Sequence, residues 1–262
     1  MTIPLDPSLG LSQPEPQPEP APEASPGAAR RRPRRVLFVA LIAVGAVLIA
    51  AGGAALGREM TRAATPAEAA AALQQEIASR WEWLPAGRIF PATVSYSDPE
   101  GTTMAARLVG IAPPATCRAA LEPVSYGLVR DLGCATLLRA TYVDASGTLA
   151  TTVGVAVLRS PADALKAANS ESLQVPARGL HAVTFGGTIA GQFGDAARGA
   201  QGAAAGGPYL FLYTAGFTDG LSGPVAAAQQ EELSSFGSGV DARLQTVLTE
   251  HGKPCDMKDI KC

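Results

Sequence analysis

The sequence predicts an α+β domain, a largely antiparallel sheet with packed helices, preceded by one transmembrane helix and a disordered N-terminal tail. Three observations lead to this prediction. An apolar run from Val36 to Gly57 is long enough to cross a membrane. Two segments rich in β-branched residues, Cys134–Val143 and Thr148–Leu158, flank a turn. Helices begin after Thr65 and Ser160, each a capping residue followed by proline and then an acid.

Residues 1–35 are predicted to form a disordered, proline-rich cytoplasmic tail. They hold nine of the 21 prolines and almost no large apolar side chain. A chain of this composition has nothing to bury and stays extended, close to polyproline II. A docking peptide for a proline-recognising partner is the alternative interpretation of this tail.

Residues 36–57 are predicted to form the transmembrane helix. Their 22 side chains include no charged or strongly polar group, and a helix of this length spans ~33 Å, just over the ~30 Å hydrocarbon core. A cleaved signal peptide is the rival interpretation, but both the leader and the apolar core are too long for one.

Arginines set the predicted orientation of this helix. Five of them precede it, against two shortly after it, so the positive-inside rule places the N-terminus in the cytoplasm and the C-terminal domain outside it, at the plasma membrane. The five are Arg30, Arg31, Arg32, Arg34 and Arg35.

Gly53 and Gly57 lie four residues apart near the outer end of the transmembrane helix. Small residues at this spacing allow two helix backbones to approach closely. Besides the lipid bilayer, a second copy of the chain is therefore a candidate partner, in a homodimer formed through this helix.

Residues 58–85 are predicted to form a juxtamembrane helical segment, with a helix from Pro66 to about Trp83. Thr65 is the cap, and Glu68 lies in the first turn. An apolar stripe follows at spacings of four, four and three residues: Leu73, Ile77, Trp81 and Leu84.

Residues 86–262 are predicted to form the extracytoplasmic α+β domain. Alternating apolar residues indicate strands at Arg88–Tyr96 and Met104–Ile111, joined by a turn at Ser97–Gly101. Cys117–Leu132 is predicted to be a helix, in which Pro123 either delays the start or makes a kink.

The hairpin of Cys134–Val143 and Thr148–Leu158 comes next, closed by Asp144-Ala145-Ser146-Gly147. Ser160 then caps a predicted helix that runs to about Ser170. A short strand is expected at Leu180–Phe185.

Residues 186–207 contain eight glycines, which predicts a mobile loop. A phosphate-binding loop is rejected, because the segment has neither Gly-Lys-Ser/Thr nor an ordered Gly-x-Gly-x-x-Gly after a strand. Residues 208–218 are predicted to be a strand and residues 224–251 the terminal helix, with Gly237 and Gly239 interrupting it.

Four cysteines are the most informative side chains. In an oxidising compartment they are expected to form two disulfides, for which three connectivities exist. Sequence proximity favours Cys117 with Cys134 and Cys255 with Cys262. A metal site is the alternative at the C-terminus, but its donors lack the paired spacing of zinc sites: His251, Cys255, Asp256, Asp259 and Cys262.

No catalytic or cofactor-binding motif stands out, so the chain is predicted to be non-enzymatic and without a cofactor. His181 is alone on its predicted strand, and the sequence around Ser222 does not fit Gly-x-Ser-x-Gly. Four acids are interpreted as solvated surface groups: Asp195, Asp219, Glu231 and Glu232.

The charge balance argues against nucleic acid as a partner. The net charge is −2, and the part after the anchor carries 16 basic and 19 acidic residues. Such a balance provides no broad basic face for a phosphate backbone.

The run from Trp81 to Pro91, Trp-Glu-Trp-Leu-Pro-Ala-Gly-Arg-Ile-Phe-Pro, follows a proline-rich tail and one membrane helix. This layout resembles uncharacterised single-pass membrane-anchored proteins of actinobacteria. The resemblance implies a bacterial plasma membrane, and it implies no activity and no catalytic residue.

The predicted function is that of a membrane-anchored envelope protein whose outer domain binds a protein partner or assembles a cell-envelope or secretion complex. The sequence leaves two alternatives open. One is an extracytoplasmic sensor or small-ligand-binding domain, and the other is an envelope hydrolase without a recognisable motif.

Overall fold

The computed structural model describes residues 33–175 and 178–250, with the backbone alone for Pro33 and Arg34. The chain divides into two compact units, Met1–Arg62 and Ala63–Cys262.

The first unit contains one long helix, α1 (Pro33–Thr61), of 29 residues. Its stretch Arg35–Thr61 has a mean hydropathy of 2.7, and no residue of its most apolar window is buried in the protein. In the described part of the chain it is the one helix that is long and apolar enough to cross a membrane. The predicted apolar helix is therefore present, and it extends a turn beyond the predicted C-terminal end.

The second unit is built on a six-stranded antiparallel sheet that curves into a half-barrel, with strand order β1-β2-β3-β4-β6-β5. The strands are β1 (Thr93–Ser97), β2 (Thr103–Ala115), β3 (Thr136–Asp144), β4 (Leu149–Val157), β5 (Arg198–Gly206) and β6 (Tyr209–Phe217). The predicted α+β fold with a largely antiparallel sheet is confirmed.

Among the described residues of this unit, six α-helices accompany the sheet, besides two short 3-10 helices: α2 (Pro66–Trp83), α3 (Ala86–Ile89), α4 (Cys117–Ala120), α5 (Pro123–Asp131), α6 (Pro161–Ala168) and α7 (Ala227–Thr249). The two predicted caps are in place. The Thr65 side chain accepts a hydrogen bond from the Glu68 amide, and the Glu68 carboxylate accepts one from the Thr65 amide. Ser160 caps α6 by accepting from the Asp163 amide.

Helix α7 lies in the hollow of the half-barrel and contacts both edge strands, β1 and β5. Its apolar face is completely buried against the sheet: Leu233, Phe236, Val240, Leu244 and Leu248. Tyr142, Tyr209 and Phe211 come from the sheet to the same core. Burial of this apolar face stabilises the domain.

A second core lies on the opposite face of the sheet. Alternate residues of the strands, such as Leu137, Ala156 and Leu212, point there and pack under α4, α5 and α6. Helices therefore cover both faces of the sheet.

The strand predicted from Arg88 is shorter than expected, because α3 occupies Ala86–Ile89 and β1 begins at Thr93. Ile89 and Phe90 are both about 1% exposed. Phe90 and Ala92 precede the strand at two-residue spacing, in phase with Val94 and Tyr96, so the apolar alternation of the sequence begins before the strand does.

Strand β2 continues beyond the predicted end at Ile111, through Pro113 and Pro114. Its pairing with β3 shifts register between Ala112 and Ala115, and β1 pairs only with the first part of β2. Prolines are tolerated at such an irregular, locally unpaired edge.

The predicted helix Cys117–Leu132 is divided into α4 and α5. Leu121, between them, leaves the helical path and forms a single bridge with Leu180. This bridge is all the regular pairing that Leu180–Phe185 makes in the described structure, so the prediction of a strand there was wrong.

The glycine-rich segment is not a loop throughout, because its second half is the regular strand β5. Its glycines make room for bulky neighbours. A Cβ at Gly202 would lie 2.5 Å from the Tyr213 ring, and one at Gly199 would lie 2.8 Å from Leu233.

Helix α7 is likewise continuous through Gly237 and Gly239, contrary to the predicted interruptions. A Cβ at Gly237 would lie 2.2 Å from the Tyr213 ring, and one at Gly239 would lie 2.6 Å from the Tyr96 Cβ. These glycines let α7 approach the sheet.

Candidate functional site

The domain carries two groups of polar side chains that could bind a ligand or a partner. The first, the histidine cluster, consists of Glu122, His181, Asp195 and Arg198. Glu122 precedes α5, His181 follows the Leu121–Leu180 bridge, Asp195 begins a 3-10 helix and Arg198 begins β5.

Backbone hydrogen bonds hold the histidine cluster in place. The Glu122 amide donates to the Gly179 carbonyl at 3.0 Å, and the His181 amide donates to the Ala120 carbonyl at 2.9 Å. Asp195 Oδ1 accepts from the Ala182 amide at 2.8 Å. Its other oxygen therefore faces the imidazole.

His181 Nδ1 lies 2.7 Å from Asp195 Oδ2 and 3.5 Å from Glu122 Oε1. Arg198, whose side chain is 4% exposed, donates from Nη2 to Glu122 at 2.6 Å, and its Nε lies 3.3 Å from Asp195 Oδ1. The guanidinium thus neutralises both carboxylates.

A second arginine stands near the cluster. Burial lowers the pKa of Arg139, and the negative charge of Asp195 raises it in part. Its Nε is buried without a hydrogen-bond partner among the described residues.

Three side chains of the cluster could act as metal ligands, since donor atoms of Glu122, His181 and Asp195 lie within 4.8 Å of one another. A cation would have to compete with Arg198 for both carboxylates, which makes the cluster a poor cation site. The His181–Asp195 pair is also half of a nucleophile-activating relay. In the described structure, however, no serine, threonine or cysteine side chain hydrogen-bonds to His181.

The second group, the acidic cleft, is a cavity of about 440 Å³ at the end of the half-barrel where α7 begins. It lies between the β1–β2 turn, the β3–β4 turn and the first turns of α7. Five carboxylates line it, and the described lining includes no basic residue: Asp98, Glu100, Asp144, Glu231 and Glu232.

Local hydrogen bonds orient two of these carboxylates. Asp98 Oδ1 accepts from the Thr102 amide at 2.6 Å. Asp144, 4% exposed, accepts from the amides of Leu149 and Ser146 at 2.8 and 2.9 Å. Glu231 and Glu232 are exposed on the second turn of α7.

Tyr96 forms an inner wall of the acidic cleft. It is 8% exposed, and its ring packs on Phe236 with the centroids 5.0 Å apart. Burial of the ring, and then the charges of Asp144, Glu232 and Asp98, raise the pKa of Tyr96 to about 12. The phenol is therefore protonated at neutral pH, in a field of negative charge.

The disulfide predicted between Cys117 and Cys134 is confirmed, with the two Cα atoms 6.3 Å apart. It joins the first residue of α4 to the segment that leads into β3. Cys255, Cys262 and the proposed ligands of the C-terminal metal site lie outside the described residues.

The residues predicted to set membrane topology are only partly described. Arg30, Arg31 and Arg32 lie outside the described residues, Arg34 is described by its backbone, and Arg35 is on the first turn of α1. Gly53 and Gly57 are exposed on α1, with open space where their Cβ atoms would be. Whether they mediate a homodimer stays a prediction.

Sequence reasoning missed both groups. Asp195 is exposed as predicted, but the fold also brings it into contact with His181, 14 residues away, which the sequence presents as isolated. No motif spacing signals that contact. The sequence places Asp144 only in a turn, yet its carboxylate also lines the acidic cleft.

No family model, no curated protein and no solved structure matches the chain.

Proposed function

We propose that this chain is a single-pass membrane protein, non-enzymatic, whose extracytoplasmic domain binds a protein partner and takes part in assembling a cell-envelope complex. The observation that carries the proposal is α1, whose apolar side chains are all exposed over a length that suits a bilayer. Exposed apolar surface of this extent needs a lipid or protein environment.

The Cys117–Cys134 disulfide supports an extracytoplasmic position for the domain. Disulfides persist in oxidising compartments and are rare in the cytosol. Arginines that precede α1 give the same orientation, with the N-terminus in the cytoplasm. The proposed membrane is the plasma membrane of a bacterium, in line with the resemblance of residues 81–91 to actinobacterial membrane-anchored proteins.

The surface of the domain favours interaction with a protein over chemistry. In the histidine cluster, Arg198 already occupies the carboxylates that a metal or a relay would use. The acidic cleft, in contrast, is open and carries charge that no described neighbour neutralises. Complementary charge steers partners together and fixes their orientation.

In vivo photo-crosslinking tests this function. A photo-reactive amino acid is introduced into the full chain, expressed in its own cells, in place of Glu231 at the cleft. The matched control carries it in place of Leu165, which is 57% exposed on α6. We expect a discrete adduct with an envelope protein from position 231 and a weaker one or none from position 165. Absence of any adduct from a panel of exposed domain positions would contradict the proposed function.

A further inference from the structure

The acidic cleft is a built recess and more than a group of charged turn residues. Tyr96 is more than nine-tenths buried, and it lines the cleft. Its hydroxyl makes no hydrogen bond to any described residue, whereas the buried hydroxyls of Tyr142 and Tyr209 donate to the carbonyls of Pro91 and Ile77. Although most of the side chain is buried, the hydroxyl oxygen is not among the described buried atoms that lack a partner, so it opens into the cleft and is free to hydrogen-bond a ligand there.

The spacing of the carboxylates indicates whether the cleft suits a single metal ion or a larger organic cation. In the described part of the chain, the histidine cluster is the one group of three ligand side chains within 4.8 Å of one another. The five carboxylates of the cleft are therefore too widely spaced to coordinate a single metal ion together. They can contact a cation that is several atoms long.

The remaining lining is suited to the apolar part of such a cation. The Tyr96 ring, Met104 and Pro99 provide hydrocarbon surface beside the carboxylates. A guanidinium group stacks on an aromatic ring and donates two hydrogen bonds to a carboxylate, and its aliphatic stem packs on apolar side chains.

We propose that the acidic cleft binds an arginine side chain of the protein partner, with Tyr96 as its inner wall and Glu231, Glu232 and Asp98 as its carboxylate rim. This assignment rests on the proposed function, since it names the chemistry of the partner. The Tyr96 oxygen accepts an N–H of the guanidinium, and the carboxylates accept the others.

Surface plasmon resonance on the full chain in nanodiscs of neutral phosphatidylcholine tests the assignment. The probes are a blocked tripeptide Gly-Arg-Gly, the same peptide with glutamine in place of arginine, and calcium chloride alone. The variants are Tyr96→Phe and the double variant Glu231→Gln/Glu232→Gln. Glu82→Gln/Glu171→Gln is the matched control, because it removes two exposed carboxylates away from the cleft.

We expect the arginine peptide to bind and the glutamine peptide to give no response. The cleft double variant should weaken binding about fivefold or more, because two charge pairs with the arginine are lost. Tyr96→Phe should weaken binding about threefold, because one hydrogen bond is lost. The control double variant should stay within about twofold of the parent.

Three results would overturn the assignment: no binding of the arginine peptide, equal weakening in the control double variant, or displacement of the peptide by calcium with no effect of Tyr96→Phe. Failure here is distinguishable from failure of the proposed function. The peptide measurement needs no partner, and the crosslinking experiment needs no arginine.

Discussion

Asp241 shows how one residue can make the stability of this domain depend on pH. It is 2% exposed on α7, and its Oδ1 has no hydrogen-bond partner among the described residues. Burial raises its pKa to about 8, and a hydrogen bond from Gln245 lowers it in part. In the unfolded chain an aspartate has a pKa of about 3.9.

The folded state therefore binds a proton that the unfolded state releases between about pH 4 and pH 8. We expect the free energy of unfolding to fall as pH rises through this window, by up to about 1.4 kcal/mol per pH unit. Asp241→Asn should remove this slope and stabilise the domain at pH 7. Urea unfolding of the full chain in detergent at pH 5, 7 and 9 measures both effects.

Asp219→Asn is the control, since Asp219 is exposed in a loop, and it should keep the parental slope. A slope of equal size in Asp241→Asn would show that other groups cause the pH dependence.

Arg80 is a second residue with a long-range role, because it joins α2 to the end of α7. Its Nη1 donates to the carbonyls of Leu248 and Glu250 at 3.1 and 2.6 Å, and Glu76 pairs with its other nitrogens. Terminal carbonyls of a helix need such partners.

We expect Arg80→Met to lower the free energy of unfolding by about 2 kcal/mol, since it leaves those carbonyls unsatisfied. Arg130→Met should leave the denaturation midpoint unchanged, because Arg130 pairs with Asp131 on the surface. Equal midpoints for the two variants would contradict the capping role of Arg80.

At the scale of the element, α7 and its glycines determine how closely helix and sheet approach. We expect Gly237→Ala to destabilise the domain by about 2 kcal/mol, because the added methyl group collides with the Tyr213 ring. Gly127→Ala, in α5 with open space around it, should instead stabilise it by about 0.5 kcal/mol. Thermal unfolding followed by circular dichroism compares them, and stabilisation by both would refute the close contact.

The disulfide is the second element-scale constraint. It closes a sequence separation of 17 residues, so its removal in Cys117→Ala/Cys134→Ala should cost about 3 kcal/mol of unfolding free energy. Reductant should lower the denaturation midpoint of the parent. It should leave the midpoint of the variant unchanged, because the variant lacks this disulfide. A parental midpoint that does not respond to reductant would contradict the stabilising role.

Local signals explain which elements the sequence predicted well. The Thr65–Glu68 and Ser160–Asp163 caps depend on neighbours in sequence, and the β3–β4 hairpin is set by its turn and its β-branched strands. The sequence carries no such signal for strand β5. Its glycines are needed because an aromatic ring and α7 pack too closely against it for larger side chains. Composition alone could not distinguish it from a loop.

At the scale of the whole molecule, the half-barrel brings distant segments together at both candidate groups. The histidine cluster joins residues 122 and 198, and the acidic cleft joins the β1–β2 turn to the start of α7. Such contacts depend on topology, so the sequence predicted neither group. It did predict the apolar helix, whose signal lies within one continuous segment.

Labelling of introduced cysteines in intact cells tests the central claim, a domain held outside the cytoplasm by α1. The probe is a membrane-impermeant maleimide, applied before and after permeabilisation. The variants are Leu221→Cys, at a position that is 67% exposed on the domain, and Ser8→Cys in the tail. The unaltered chain is the control. We predict labelling of Leu221→Cys before permeabilisation and of Ser8→Cys only after it. The reverse pattern, or protection of both positions until the membrane is opened, would contradict the proposed topology.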